Sequence, residues 1–185
     1  MKLRFSTIAF AIVLLGAGAV IGVPATDYVD RYFSSDAFCA YGCHVMESTV
    51  YKEYRESSHW NTTTGVRPRC ADCHVSSNLT EAMWDHVLGT RDLFVFIFEG
   101  VRTAGDFEKI RARAADRARF TLLKNDGKTC RSCHVMEAIK PARKRGQGQH
   151  REAMEKGITC IACHYNLVHK EVEPSEAFLS AAESR

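Results

Sequence analysis

Several features that mark other classes of protein are missing from this sequence. No run of basic residues resembles the arm of a nucleic-acid-binding protein, and the formal net charge is only +3. Little in the chain has the pattern of a β-strand, and no cysteine lies outside four close pairs. We therefore expect a mainly α protein with extensive loops and no nucleic-acid partner.

The four cysteine pairs share one pattern, in which a histidine directly follows the second cysteine. Two closely spaced thiols add across the two vinyl groups of a haem, and the imidazole that follows is left under the ring, where it can bind iron. A zinc ribbon or a disulfide framework has no need of these histidines. We predict four covalently attached haem c groups, which leave no cysteine over for a disulfide or another metal site. The motifs are Cys39, Cys43 and His44; Cys70, Cys73 and His74; Cys130, Cys133 and His134; and Cys160, Cys163 and His164.

The first motif has one more residue between its thiols than the other three. Gly42 gives this enlarged loop conformational freedom. The adjacency of Cys43 and His44, which places the imidazole under the ring, is unchanged. We therefore expect a haem at this motif as well.

Four histidines lie outside the cysteine motifs, namely His59, His86, His150 and His169. Four haems have four distal faces, and a low-spin iron with two imidazole ligands transfers electrons with little change of geometry. These histidines are candidate iron ligands, although a lone histidine is otherwise a solvated surface residue. Met46 and Met136 compete with them, because each follows a motif histidine by two residues and a thioether can bind haem iron.

The N-terminus predicts a membrane anchor over residues 1–25. An uncharged run from Phe5 to Val23 is long enough to cross a bilayer, which takes about twenty helical residues. Lys2 and Arg4 precede it and predict that this end stays in the cytoplasm. The alternative is a cleaved signal peptide, since the residues around Pro24 loosely fit a cleavage site. We expect a single span in the inner membrane, with the haem domain in the oxidising periplasm.

The body is predicted to be a haem-cored periplasmic domain over residues 26–170, followed by a loose tail over 171–185. Roughly 160 residues for four large flat cofactors cannot enclose a sizeable apolar core, so the haems should form the interior and folding should depend on their attachment. The first and second motifs are spaced like the third and fourth. This spacing suggests two two-haem halves, about 26–100 and 101–170.

Six consecutive apolar residues, 93–98, are unusual for a soluble cytochrome. They either pack against haems or dip into the membrane surface, where a lipid-soluble quinol would arrive. Quinol oxidation releases two protons with two electrons, so such a site needs a proton acceptor. His86 and Asp92 are candidates, although an ion pair with Arg91 or a nearby arginine is the alternative role for Asp92.

Several motifs resemble those of the NapC/NirT family of membrane-anchored multihaem quinol dehydrogenases, which includes the small haem subunit of ammonia-forming nitrite reductase. Besides the anchor and the haem motifs, they are Cys43-His44-Val45-Met46, Val50-Tyr51-Lys52-Glu53-Tyr54, Gly65-Val66-Arg67, Gly89-Thr90-Arg91-Asp92 and Val168-His169-Lys170. The resemblance implies quinol dehydrogenase activity in anaerobic respiration. Membrane quinol is then the substrate, and the electrons pass to a periplasmic reductase of nitrate, nitrite or a similar compound.

The resemblance also implies a ligand set. His59 serves the fourth haem, His150 the third and His169 the second, while Met46 rather than His44 binds the first and leaves that iron open toward quinol. His86 is then a spare histidine, either a proton acceptor or incidental. The widened first motif and the aromatic run after Asp92 both depart from the family pattern.

Other functions stay open at this point. The chain is alternatively a periplasmic tetrahaem electron carrier without a quinol site, or a carrier of reverse flow from a periplasmic dehydrogenase into quinone. Lys140, Arg143, Lys144 and Arg145 form a basic patch that either docks an acidic partner or is a solvated face. Assembly into an oligomer is equally open.

Overall fold

Helices joined by loops make up residues 5–184, the part of the chain that this computed structural model describes, and no strand occurs in that part. The predicted mainly α fold with extensive loops is confirmed. Lys2 and Arg4, on which the expected orientation rests, lie outside the described residues. The α-helices are α1 (Phe5–Phe33), α2 (Asp36–Tyr41), α3 (His44–Met46), α4 (Lys52–Glu56), α5 (Cys70–His74), α6 (Leu79–Phe98), α7 (Ala104–Lys124), α8 (Lys128–Arg131), α9 (Lys144–Lys156), α10 (Cys160–Cys163) and α11 (Glu176–Glu183).

Helix α1 contains the apolar N-terminal run and is long and apolar enough to cross a membrane, with a mean hydropathy of 2.4. It runs past Pro24 and continues to Phe33. A proline inside a helix removes one helical hydrogen bond and kinks or breaks the helix. Here the Thr26 hydroxyl donates to the Gly22 carbonyl at 2.8 Å, and Arg31 pairs with Asp27 one turn away at 2.7 Å. The predicted domain boundary at residue 25 therefore falls inside a helix.

A continuous helical segment follows the first haem motif. Helix α3 begins at His44, directly after Cys43, and passes through a π-helical stretch, Glu47–Tyr51, into α4. The Ser48 hydroxyl donates to the His44 carbonyl at 3.0 Å, so Ser48 is inside this segment. The wider π turn gives the segment a local bulge between the first motif and α4.

Helices α6 and α7 are linked side by side. The Asn78 side chain caps α6, and Thr103 with Asp106 forms a capping box at the start of α7. Arg117 of α7 donates to Asp92 of α6 at 2.6 Å. The pair of helices separates the first two haem motifs from the last two along the chain.

The C-terminal tail is ordered, contrary to the prediction that residues 171–185 are loose. Ser175 caps helix α11, and Phe178 of that helix is fully buried. Phe178 and Ala182 pack with Leu123 and Ile161 in a small apolar cluster. An apolar face that is only two turns long is enough here because α7 and α10 provide a matching surface.

The polypeptide itself buries few apolar side chains. Several of those that are buried lie within or beside the haem motifs, including Ala40, Val45, Ala71 and Ile161. Within residues 5–184, one apolar cluster of buried residues occurs, that of α11 with α7 and α10. The protein interior therefore centres on the cysteine motifs.

Candidate haem centres

Each haem motif is placed by a short helix. Cys39 lies on α2, Cys70 and Cys160 begin α5 and α10, and Cys130 lies on α8. In the last three motifs a single helical turn separates the two thiols, which puts them on the same side of the backbone. All eight cysteines fall within the described residues, and none of them forms a disulfide there. The thiols of each motif are therefore available for attachment to one macrocycle.

The first two motifs are joined at their first cysteines. The Cys39 and Cys70 thiols are hydrogen-bonded to each other, which raises the pKa of Cys70 and lowers that of Cys39. Asp36 of α2 strengthens the junction, because its carboxylate accepts the Cys70 backbone N–H at 3.0 Å. Macrocycles attached at these two motifs would therefore be neighbours.

The later motifs follow in chain order. Helix α5 of the second motif contacts α8 of the third, and burial, followed by charge repulsion from Cys130, raises the pKa of Cys73 to about 11. Cys160 of the fourth motif lies beside Gly127, which precedes α8, and burial, followed by repulsion from Cys160, raises the pKa of Cys130. The four motifs thus form a sequence of neighbours from first to fourth.

Three pairs of histidines face each other at nearly equal distances. Two imidazoles that bind opposite sides of one iron, at about 2 Å per bond, have ring centroids about 6 Å apart. The observed separations are 6.2 Å for His74 and His169, 6.2 Å for His59 and His134, and 6.0 Å for His150 and His164. Each pair joins a motif histidine to one from elsewhere in the chain. The residues present therefore fit three bis-histidine haem irons.

Two of these pairings correct the expectation from the family resemblance. His59 lies beside His134 of the third motif, where we expected it at the fourth. His150 lies beside His164 of the fourth motif, where we expected it at the third. His150 lies near the fourth motif because its helix, α9, leads directly into α10 through the left-handed turn at Gly157.

Burial favours the neutral form, which binds iron, in four of the paired histidines. Burial, with a smaller contribution from His169, lowers the pKa of His74 to about 4. Burial also lowers the pKa values of His59, His164 and His169. A metal ligand must be the neutral imidazole, so these environments favour coordination.

The first motif is arranged differently. Its histidine, His44, has no facing histidine of this kind among the described residues, and Met46 lies on the same short helix. His86 lies nearby through Phe33, whose ring is 5.9 Å from that of His86 and whose carbonyl accepts from the Cys39 thiol. The first motif is thus the one at the end of the anchor helix.

His86 contacts an aspartate that sequence reasoning missed. Its Nδ1 donates to the Ala82 carbonyl at 2.8 Å and lies 3.6 Å from Asp30 Oδ1 on α1. His86 Nε2 and Asp30 Oδ1 are both buried without a hydrogen-bond partner in the described chain. Asp30 carries no signal in the sequence, because it follows the apolar run and its role depends on how α1 packs against α6.

Asp92, the other candidate proton acceptor, is placed elsewhere. Its carboxylate pairs with Arg117 of α7, and 74% of its side chain is exposed. His86 faces α1, so the two candidates lie on different sides of α6 and do not come together. The apolar run after Asp92 continues along α6, and Leu93, Phe94, Ile97 and Phe98 are exposed on the polypeptide surface.

Comparisons with known proteins agree with this geometry. Residues 2–174 match the NapC/NirT cytochrome c family, N-terminal region. A tetraheme cytochrome-c type protein of Allochromatium vinosum is 34% identical over 181 residues, which covers 94% of each chain. The denitrification system component NirT of Stutzerimonas stutzeri is 36% identical over 138 residues, 74% of this chain and 68% of its own.

The cytochrome c-type protein NapC of Escherichia coli is 34% identical over 148 residues, which covers 76% of this chain and 74% of its own. No solved structure matches the chain. The relatives and helix α1 fit a membrane-anchored, multihaem c-type cytochrome of electron transfer. With its four haem motifs, its anchor-like helix and this match over nearly its whole length, the chain belongs to the NapC/NirT cytochrome c family.

Proposed function

We propose that this protein is held in the inner membrane by α1, oxidises membrane quinol beside the first haem motif and passes the electrons to a periplasmic reductase. The observation that carries this proposal is the ordered succession of motifs, which starts where α1 ends and proceeds from first to fourth through neighbouring thiols. Such an order gives electrons a single path between the lipid and the fourth motif. Relatives named NapC and NirT support the same role.

When bound, the haem groups supply one-electron carriers that accept the two electrons of quinol singly. The chain contributes their order and their axial ligands. We propose His74 with His169, His134 with His59, and His164 with His150 as ligands of the second, third and fourth irons, and Met46 or His44 for the first. The two halves, 26–100 and 101–170, then each hold two neighbouring haems.

We propose His86 as the residue that accepts a proton from quinol. Oxidation of one quinol to quinone releases two electrons and two protons, so the site needs a base. Asp30 stands beside the imidazole at 3.6 Å and stabilises it once protonated. The Ala82 carbonyl, which can only accept, fixes the proton on Nδ1 and leaves Nε2 free as the base.

The exposed apolar side chains on the second half of α6 support this placement. Four large apolar side chains of the run 93–98 are exposed, and α6 packs against the end of α1. A helix whose apolar face lies in the membrane surface gives a lipid-soluble substrate a short path to His86. This favours contact with the membrane over packing against haems for the aromatic run.

The variant His86→Ala tests the proposed site. Removing a general base costs roughly 100-fold or more, so haem reduction by a quinol analogue in proteoliposomes should slow by about that factor. Reduction by dithionite, which needs no proton acceptor, should be complete and unchanged. Stopped-flow absorbance of the haem bands measures both rates.

The variant Asp92→Asn decides between the two candidate bases. It removes an exposed ion pair with Arg117, which is worth at most about 1 kcal/mol, and should leave quinol oxidation close to normal. Loss of the rate in Asp92→Asn instead of His86→Ala would move the base to Asp92. If neither variant slows the reaction, a periplasmic electron carrier without a quinol site is the better description.

The basic patch is the proposed exit toward the reductase. Lys140, Arg143, Lys144 and Arg145 are all exposed, and the last two begin α9, the helix that carries His150 to the fourth motif. Charges arranged around an electron exit steer an oppositely charged partner into productive orientation.

Exchanging all four for glutamate should slow electron transfer to an acidic periplasmic reductase by about tenfold or more at low salt, because the steering charges now repel the partner. The difference should shrink near 1 M salt, where the Debye length is about 3 Å. Quinol-dependent reduction of a small dye serves as the control and should not change. Equal loss of both reactions would argue against docking at this patch.

A further inference from the structure

Glu53 is a partly buried carboxylate whose contacts converge on one segment of the chain. Arg111 of α7 forms a two-point pair with it, Nη2 to Oε1 at 2.7 Å and Nη1 to Oε2 at 3.1 Å. Oε2 also accepts the backbone N–H of Lys170 at 3.0 Å. The side chain is therefore a fixed negative charge next to residue 169.

The same oxygen faces an imidazole. Glu53 Oε2 lies 3.8 Å from His169 Nδ1, and the Val50 carbonyl, one turn earlier on the same helical segment, lies close to that ring. On its other side the His169 ring stacks against His74 at 6.2 Å, with 28° between the ring planes. Protein groups thus flank the side of His169 that holds Nδ1, while the ring faces the second motif.

A purely structural ion pair with Arg111 does not account for the position of Glu53 beside His169. Arg111 already has a second carboxylate, because Glu108, three residues earlier on α7, accepts from its Nη2 at 2.7 Å. Glu53 is the carboxylate that reaches His169, and Glu108 instead pairs with the Lys170 side chain. Arg111 thus pairs with two carboxylates, and of these only Glu53 contacts His169.

We propose that Glu53 is a positioning residue for the second haem. Its carboxylate, held by Arg111 and by the Lys170 N–H, fixes the orientation of His169 and increases the electron donation of that imidazole to iron. A histidine that binds a metal commonly directs its other ring nitrogen to a carboxylate or a carbonyl, and such partners tune the metal. A negative charge there stabilises the oxidised iron relative to the reduced iron. The inference rests on His169 being the ligand assigned under the proposed function.

The test uses the full-length, haem-loaded protein in detergent, with a spectroelectrochemical titration and electron-spin resonance of each variant. Glu53→Gln keeps the shape and removes the charge, so one of the reduction waves should move to higher potential and one low-spin signal should change its g values. Glu108→Gln is the matched control, because it removes the other partner of Arg111 and should leave all waves in place. Unchanged waves in Glu53→Gln would overturn the inference.

Two further variants separate the possible failures. His169→Ala should convert one low-spin iron to high spin and thereby identify the wave of the second haem; four low-spin irons in this variant would mean that the ligand assignment itself is wrong. If Glu53→Gln does not fold, Glu53→Asp moves the charge back by one methylene. It should shift the same wave upward by a smaller amount, and no shift there would reject the role of Glu53.

Discussion

Loss of both thiols of the second motif, in the variant Cys70→Ser/Cys73→Ser, is expected to leave most of the protein unfolded. This motif contacts the first through Cys39 and the third through Cys130, so a haem attached there lies at the centre of the series. The polypeptide has one small cluster of buried apolar residues, far from enough to replace a macrocycle. The loss should be on the order of the whole stability of a domain, about 5–15 kcal/mol.

Circular dichroism and limited proteolysis of the purified variant measure this effect. The control is Ser132→Ala, which changes a residue between the third pair of thiols while leaving both thiols intact. It should fold, carry its full haem content and resist protease like the wild type. A serine variant that lacks one haem but melts at the wild-type temperature would show that the polypeptide folds without relying on that haem.

Replacement of Arg119 by methionine is expected to release the C-terminal helix. Only 4% of the Arg119 side chain is exposed, and it pairs with Asp116 at 2.8 Å and donates to the Asn166 amide oxygen at 2.9 Å and to the Val172 carbonyl at 2.5 Å. The guanidinium also lies over the ring of Phe178. The Arg119→Met variant removes the one donor that these three acceptors share and leaves the partly buried Asp116 carboxylate without its cation, and breaking a buried pair of this kind costs about 3–5 kcal/mol.

Urea unfolding followed by circular dichroism gives the cost, and protease cleavage after residue 170 reports the release of α11. Arg113→Met is the matched control on the same helix, because Arg113 is 57% exposed and pairs with Glu99 at the surface. That change should cost at most about 1 kcal/mol. Equal midpoints for the two variants would show that Arg119 does not hold the tail.

Haem attachment was predictable because the residues of each motif lie next to one another in the sequence. A cysteine pair followed by histidine needs no tertiary information, and each motif forms a short helix or helical turn that places both thiols. Which histidine faces which motif was not predictable, because His59 meets His134 only through contacts between distant parts of the chain. The predicted assignment of His59 to the fourth motif failed for this long-range reason.

Two local predictions failed for reasons of packing. The tail was expected to be loose because a helix of eight residues with two buried side chains, Phe178 and Ala182, gives a weak periodic signal. Its stability depends on Arg119 and on the surface formed by α7 and α10. The predicted anchor boundary at residue 25 lies inside helix α1, which continues to Phe33 with a hydrogen bond from Thr26 to Gly22 across Pro24 and an ion pair between Asp27 and Arg31 beyond it.

The quinol site was the least predictable part. His86 was identifiable as a histidine left over from the haem motifs, whereas Asp30 gains its role only through the packing of α1 against α6. Asp92 looked equally suitable in the sequence, and its pairing with Arg117 becomes visible only once α7 is in place. A candidate base can therefore be proposed from sequence, but its partner requires the fold.

The central claim is that covalently bound haems form both the interior of this protein and its path for electrons. Intact mass spectrometry of the denatured mature polypeptide tests it most directly, since denaturation removes every group that is not covalently attached. The account predicts a mass equal to the polypeptide plus four haems. A mature chain that carries fewer than three would contradict it.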